Sequence, residues 1–143
     1  MRLFTQDAKV KALRRAPVFA DLSQKELAQL ARVTEDIEAD AGRVLIREGD
    51  RGHEFFVLMD GEVRVDRRGQ DLGKRSAPDI LGEISILEQV PRTATVTAET
   101  PVRAFVLTDR AFRQLVKQHP NVELKVLRTL AKRVRTLSDD PCL

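Results

Sequence analysis

Residues 81–96 read LGEISILEQVPRTATV, and the organisation of the whole chain is read outward from this stretch. After Gly82 and Glu83, the residues Ile84, Ser85, Ile86 and Leu87 suffice for about one and a half helical turns, with Ile84 and Leu87 turned inward. The start of such a turn leaves backbone N–H groups unpaired and carries positive partial charge, so main chain alone can hold an anion there. Pro91 fixes the approach to Arg92, and the alternation of Ala94, Val96 and Ala98 with Thr93, Thr95 and Thr97 predicts a half-buried strand. Arg92 then stands at the strand's mouth, facing the helix start. A guanidinium at that place engages a phosphate through two parallel hydrogen bonds, which an ammonium does less well. Glu83 is out of place beside an anion unless the same ligand offers it a donor, and a ribose 2′-hydroxyl is such a donor.

In type and spacing, Gly82, Glu83, Ile84, Ser85, Ile86, Leu87, Pro91, Arg92, Thr93 and Ala94 resemble the phosphate-binding cassette of the cyclic nucleotide-binding domain family. The stretch EGDRGHEFFVLMDGEVRV at 48–65 resembles the same family, which carries glycines and an aromatic-apolar strand there. The resemblance implies that Glu83 accepts from the ribose 2′-hydroxyl, that Arg92 pairs with the cyclic phosphate, and that backbone N–H groups near Ser85 and Ala94 complete the cradle. Gly82, Glu83, Ile84, Ser85, Arg92, Thr93 and Ala94 are therefore the expected binding residues, for cAMP or cGMP and with no further cofactor. Thr93 can accept from the 2-amino group of guanine, which argues for cGMP; many bacterial-type members with a hydroxyl residue there bind cAMP, which is set slightly ahead. The resemblance also implies that an N-terminal helix–loop–helix docks on the sheet and moves when ligand binds.

Two features depart from the family pattern. Pro78 sits where glycine is frequent before the cassette, and a chain without tryptophan or tyrosine has no aromatic residue in its last helix to stack on a base. Any lid is then aliphatic or an arginine such as Arg128 or Arg135. The alternative reading pairs Glu83 with Arg92 as a structural ion pair in a vestigial pocket, leaving an interaction or dimerisation module that works through its final helix.

From Glu35 to Leu107 short apolar alternations are punctuated by turns, the signature of an antiparallel barrel or jelly roll. Phe55, Val57 and Met59, like Val44 and Ile46, or Val63 and Val65, are read as inward faces. Asp60-Gly61 and Arg68-Gly69 suit tight hairpins, and the other glycines of this region, Gly42, Gly49, Gly52 and Gly73, are read as corner residues. Before the barrel, residues 5–15 form a basic, helix-permissive segment expected to pack loosely. Ser23 and Glu26 then make a capping box that opens a helix with Leu27, Leu30 and Ala31 on its core face. After the barrel, Asp109 is the expected N-cap of a helix carrying Phe112, Leu115 and Val116. Pro120-Asn121 restarts a last helix with a stripe of Leu124, Leu127, Leu130, Ala131, Val134 and Leu137, surrounded by basic residues. The expected fold is mainly β with flanking helices: an antiparallel, jelly-roll-like β-barrel (double-stranded β-helix) between N-terminal and C-terminal helices.

The chain of 143 residues is one domain's worth, so 1–143 is expected to be a single domain with its barrel at about 35–107 and its C-terminal helices at about 109–137. Its mean hydropathy of −0.30 and short apolar runs exclude a membrane-spanning helix, and the charged N-terminus does not read as a secretory signal. A cytoplasmic location is the expectation. The single Cys142 allows neither an internal disulfide nor a multi-cysteine metal site, and the two histidines, His53 and His119, are too scattered for a metal-binding barrel. Neither activates Ser85 or the threonines, so no enzyme is expected. The net charge of +3 favours anionic ligands. DNA-reading relatives carry a helix-turn-helix after the last helix, whereas this chain ends at Leu143, so nucleic-acid binding is not expected. What remains is a stand-alone regulatory sensor acting in trans on an unidentified effector protein, with a homodimer through the C-terminal helix as a further expected partner.

Overall fold

The computed structural model describes residues 5–82 and 90–137. The chain opens with α1 (Gln6–Arg15), a 3-10 turn (Pro17–Phe19) and α2 (Gln24–Arg32). Eight strands follow: β1 (Glu35–Ala39), β2 (Val44–Ile46), β3 (Glu54–Asp60), β4 (Glu62–Arg67), β5 (Gln70–Ser76), β6 (Asp79–Leu81), β7 (Thr95–Ala98) and β8 (Val102–Thr108). Helices α3 (Asp109–Gln118) and α4 (Pro120–Leu137) complete the order.

The strands pair antiparallel in two four-stranded sheets, β1-β8-β3-β6 and β2-β7-β4-β5. Within them the pairs nest, first with last, second with seventh, third with sixth and fourth with fifth. That is a long hairpin folded double, the jelly roll expected from the alternations. The Arg68-Gly69 turn has positive φ at both residues, 53° and 77°, which closes β4 onto β5 with the twist a tight hairpin needs.

Two apolar cores result, one on each side of the first sheet. Between the sheets lie Phe56, Leu58, Leu81, Val102, Ala104 and Val106 from the first and Ile46, Val63, Val65, Val96 and Ala98 from the second. On the other side Phe55, Val57, Met59, Ile80, Phe105 and Leu107 face the helices. The register explains the partition, because cross-strand neighbours such as Val57, Ile80 and Phe105 share a face. This corrects the expectation for β3. Phe55, Val57 and Met59 do not line the space between the sheets; they bury themselves under the helical layer, and Phe56 and Leu58 fill the sandwich. A strand covered on both sides carries a continuous apolar run, and such a run does not say which side is which.

The helical layer is built by Val10 and Leu13 of α1, Phe19 and Leu22, Leu27, Leu30 and Ala31 of α2, Phe112 and Leu115 of α3, and Val122 and Val126 of α4. Phe112 meets Phe55 edge-on, with ring centroids 5.7 Å apart. Contrary to expectation α1 packs closely. Leu13 is fully buried, and Lys9 donates to the Thr34 carbonyl (2.9 Å) while Gln6 donates to that of Ala28 (2.8 Å). Among the described side chains of α4, Val122 and Val126 dock, whereas Leu124 and Leu127 of the expected stripe are exposed. The side chains of Leu130, Val134 and Leu137 lie outside the described residues.

Helix ends are held as local chemistry dictates. The capping box of α2 forms, with Ser23 Oγ accepting from the Glu26 N–H (3.1 Å) and Glu26 Oε1 from the Ser23 N–H (2.8 Å). The same Oε1 takes a bond from Lys125 Nζ of α4 at 2.7 Å, joining the first and last parts of the chain. Burial works to raise the Glu26 pKa, but the Lys125 and Ser23 hydrogen bonds outweigh it and hold the carboxyl below its ordinary value. At α3 the N-cap is Thr108, not Asp109: Thr108 Oγ1 accepts from the Ala111 N–H (3.1 Å), and Asp109, one residue inside, pairs with Arg113. Thr108→Ala is expected to cost about 0.5–2 kcal/mol, read as a lower urea midpoint with an unchanged m-value.

Candidate functional site

The site is assembled where three segments meet: the loop between β2 and β3, the end of β6 at Gly82, and residues 91–94 leading into β7. Arg92 joins them through both main chain and side chain. Its N–H donates to the Asp50 carbonyl (2.8 Å) and its carbonyl accepts from the Gly49 N–H (2.9 Å), so the loop is fastened to Arg92 as one strand is to another. Next to this, Thr95 Oγ1 accepts from the Glu48 N–H (3.0 Å), and the Glu48 carboxylate accepts from the Arg68 N–H (2.8 Å). The loop is thereby tied to β7 and to the β4–β5 hairpin.

The guanidinium of Arg92 is turned inward. Arg92 is only 8% exposed, and its terminal nitrogens donate to the Gly82 carbonyl (3.0 Å) and to the Glu54 carbonyl. Burial pushes its pKa below the ordinary arginine value, and the nearby Glu54 carboxylate opposes that shift. The group remains charged near neutrality, because an arginine starts so far above it. Two glycines wall the guanidinium in. A β-carbon at Gly82 would stand 2.5 Å from Nη1, and one at Gly52 would overlap Nε and Cζ.

Of the expected binding residues, Gly82, Arg92, Thr93 and Ala94 are therefore brought to one place. Thr93 is exposed, and Ala94 is half-buried against the core between the sheets. Glu83, Ile84 and Ser85, and with them the helical turn expected through Ile86 and Leu87, lie outside the described residues. Sequence reasoning missed Gly49, Asp50, Gly52 and Glu54 as parts of this site. Their signal in the sequence is the EGDRGHE stretch, whose glycines read as corners. Gly49 is a corner with φ of +88°, but Gly52 lacks positive φ and matters for its contact with Arg92. A separate open groove of about 660 Å³, lined by Glu38, Asp40, Arg43, Asp60 and Arg103, contains none of these residues. Among the described residues, no group of three or more His, Cys, Asp or Glu side chains is arranged to hold a metal ion, and no helix is long and apolar enough to cross a membrane.

Fold and site together are a jelly roll that holds an arginine inward at the mouth of β7, beside the glycine that follows β6. The cyclic nucleotide-binding domain family matches residues 37–119, and the chain belongs to that family. Over 112 residues it is 35% identical to the cGMP-dependent protein kinase egl-4 of Caenorhabditis briggsae, covering 78% of this chain and 15% of the kinase. Over 133 residues it is 29% identical to the CRP-like cAMP-activated global transcriptional regulator of Mycobacterium tuberculosis, covering 90% of this chain and 59% of the regulator. The crystal structure of the N-terminal domain of a transcriptional regulator from Streptomyces coelicolor matches with a TM-score of 0.76 at 32% identity, over 90% of this chain and 95% of that one. The chain thus spans less than two thirds of either curated relative.

Proposed function

We propose that residues 1–143 are one cytoplasmic sensor module that binds a cyclic nucleoside monophosphate and regulates a partner in trans, without turning the ligand over. Gly82, Glu83, Ile84, Ser85, Arg92, Thr93 and Ala94 form its site. Arg92 meets the cyclic phosphate, Glu83 accepts from the ribose 2′-hydroxyl, and backbone N–H groups near Ser85 and Ala94 complete the cradle. The observation that carries this reading is the placement of Arg92: a nearly buried guanidinium fastened by main chain to the loop before β3 and facing the end of β6. A nearly buried guanidinium suits a phosphate, which it can engage through two parallel hydrogen bonds.

We put cAMP slightly ahead of cGMP. Of the two curated relatives described above, one is named for each nucleotide, and the cAMP-activated one aligns over more of this chain, 90% against 78%. Thr93 is exposed and available to a base, so Thr93→Ala is expected to weaken cGMP about 2- to 12-fold, the worth of one hydrogen bond, and to leave cAMP nearly unchanged. Loss confined to cAMP would reverse the role given to that hydroxyl.

A second reading is favoured by Leu124 and Leu127, which leave 47% and 41% of their surface exposed on α4. In it the pocket is vestigial and α4 is a docking or dimerisation face. Isothermal titration of ligand-free protein with cAMP and cGMP in parallel separates the two. Saturable binding is the expected result. No heat and no thermal shift with either nucleotide would overturn the sensor and leave the α4 interface.

A further inference from the structure

We infer that Gly52 is a positioning residue for the arginine of the binding site: its missing side chain is the space in which the Arg92 guanidinium stands. The inference rests on the reading of Arg92 as the phosphate-binding residue and adds to it a second position, forty residues earlier, that decides where the charge is held.

A β-carbon on Gly52 would overlap Nε and Cζ of Arg92 and lie 2.8 Å from Nη1. Contact with the end of a long side chain is ordinarily cheap to relieve, because the side chain swings aside. Here neither partner is free to yield. The guanidinium donates to the Gly82 and Glu54 carbonyls, and Gly82 closes it in from another direction. The loop carrying Gly52 cannot draw back either, since the Gly49 N–H and the Asp50 carbonyl are bonded to the Arg92 main chain, and the neighbouring Glu48 N–H to Thr95 Oγ1. A methyl group at position 52 therefore expels the guanidinium from its slot.

Gly52 is also the cleaner of the two walls to test. Gly82 has φ of +84°, so any side chain there strains the backbone as well as crowding the arginine. Gly52 is not among the residues with positive φ, and alanine can take its backbone conformation.

The test is Gly52→Ala, made in the wild type and in Arg92→Ala, with binding of cAMP and cGMP measured by calorimetry and stability by thermal unfolding. In the wild-type background, affinity is expected to fall about tenfold or more, the scale of one lost charge-assisted hydrogen bond, with the cooperative fold retained. The Tm should fall in that background and stay unchanged in Arg92→Ala, where the slot is empty. The Arg92 Nε–H resonance, identified by its absence from the Arg92→Lys spectrum, should shift in Gly52→Ala without any ligand. Affinity within about twofold of wild type, or an equal Tm loss in both backgrounds, overturns the role of Gly52. If wild-type protein binds neither nucleotide, the functional reading fails, and the Tm cycle and the Nε–H shift still decide whether Gly52 sets the position of Arg92.

Discussion

Arg92→Ala is expected to cost about 2–5 kcal/mol of nucleotide binding, a loss of about 30-fold to several thousandfold in affinity. The size follows from where the guanidinium sits. It is nearly removed from water, so a phosphate paired with it loses its own hydration, and truncation leaves that charge uncompensated. A solvent-exposed arginine would contribute far less. Arg92→Lys separates charge from geometry: it keeps the cation, loses the planar fork, and is expected to bind with affinity between the two. Because Arg92 also donates to the Gly82 and Glu54 carbonyls, the Tm of each variant should be followed alongside the titration. Binding by Arg92→Ala within about threefold of wild type, in folded protein, would remove this residue from the site.

The largest effect on stability is expected at Phe105. It is fully buried at the centre of β8, opposite Val57, under the helical layer. Phe105→Ala should lower unfolding free energy by about 3–5 kcal/mol, through lost burial and the cavity left beneath helices that cannot all settle into it. Against the roughly 5–15 kcal/mol of an ordinary domain, that is a large part of the whole. Urea unfolding reads it directly. A loss below about 1 kcal/mol would mean that the helical layer is not a true second core. The same substitution tests the correction to β3, since Phe105 and Val57 stand on the helical side of the sheet and not between the sheets.

Features set by neighbouring residues were legible in the sequence. Ser23 and Glu26 announce their helix because both bonds of the box close within one turn, and Arg68-Gly69 announces its hairpin because only a few residue types accept that backbone. Features set by distant packing were not. The run from Phe55 to Met59 has no period to assign its faces, since both are covered. Among the described side chains of α4, Val122 and Val126 are buried while Leu124 and Leu127 are exposed, and nothing in the helical spacing gives valine that priority. Thr108 and Asp109 are both good capping residues, and the end of β8 decides between them. For the proposed site, the sequence points to Arg92 through its company in the cassette, whereas it does not point to Gly52. A glycine that makes room for a side chain forty positions away looks the same as one that makes a turn.

The nested pairing of strands bears on how such a chain comes into being. Residues 35–39 bond to residues 102–106, so the first strand made must wait for the last one before its ladder exists. During synthesis only β4 and β5, joined by their hairpin, have a partner at once. β3 and β2 gain theirs later, from β6 and then β7, and the outermost pair closes last. A nascent chain stopped short of β8 holds β1 and half of β3 with open edges and an apolar face, which is the condition that invites aggregation. Sequence separation therefore orders the pairings from the hairpin tip outward, and the first sheet is not complete until β8 is available to lie between β1 and β3.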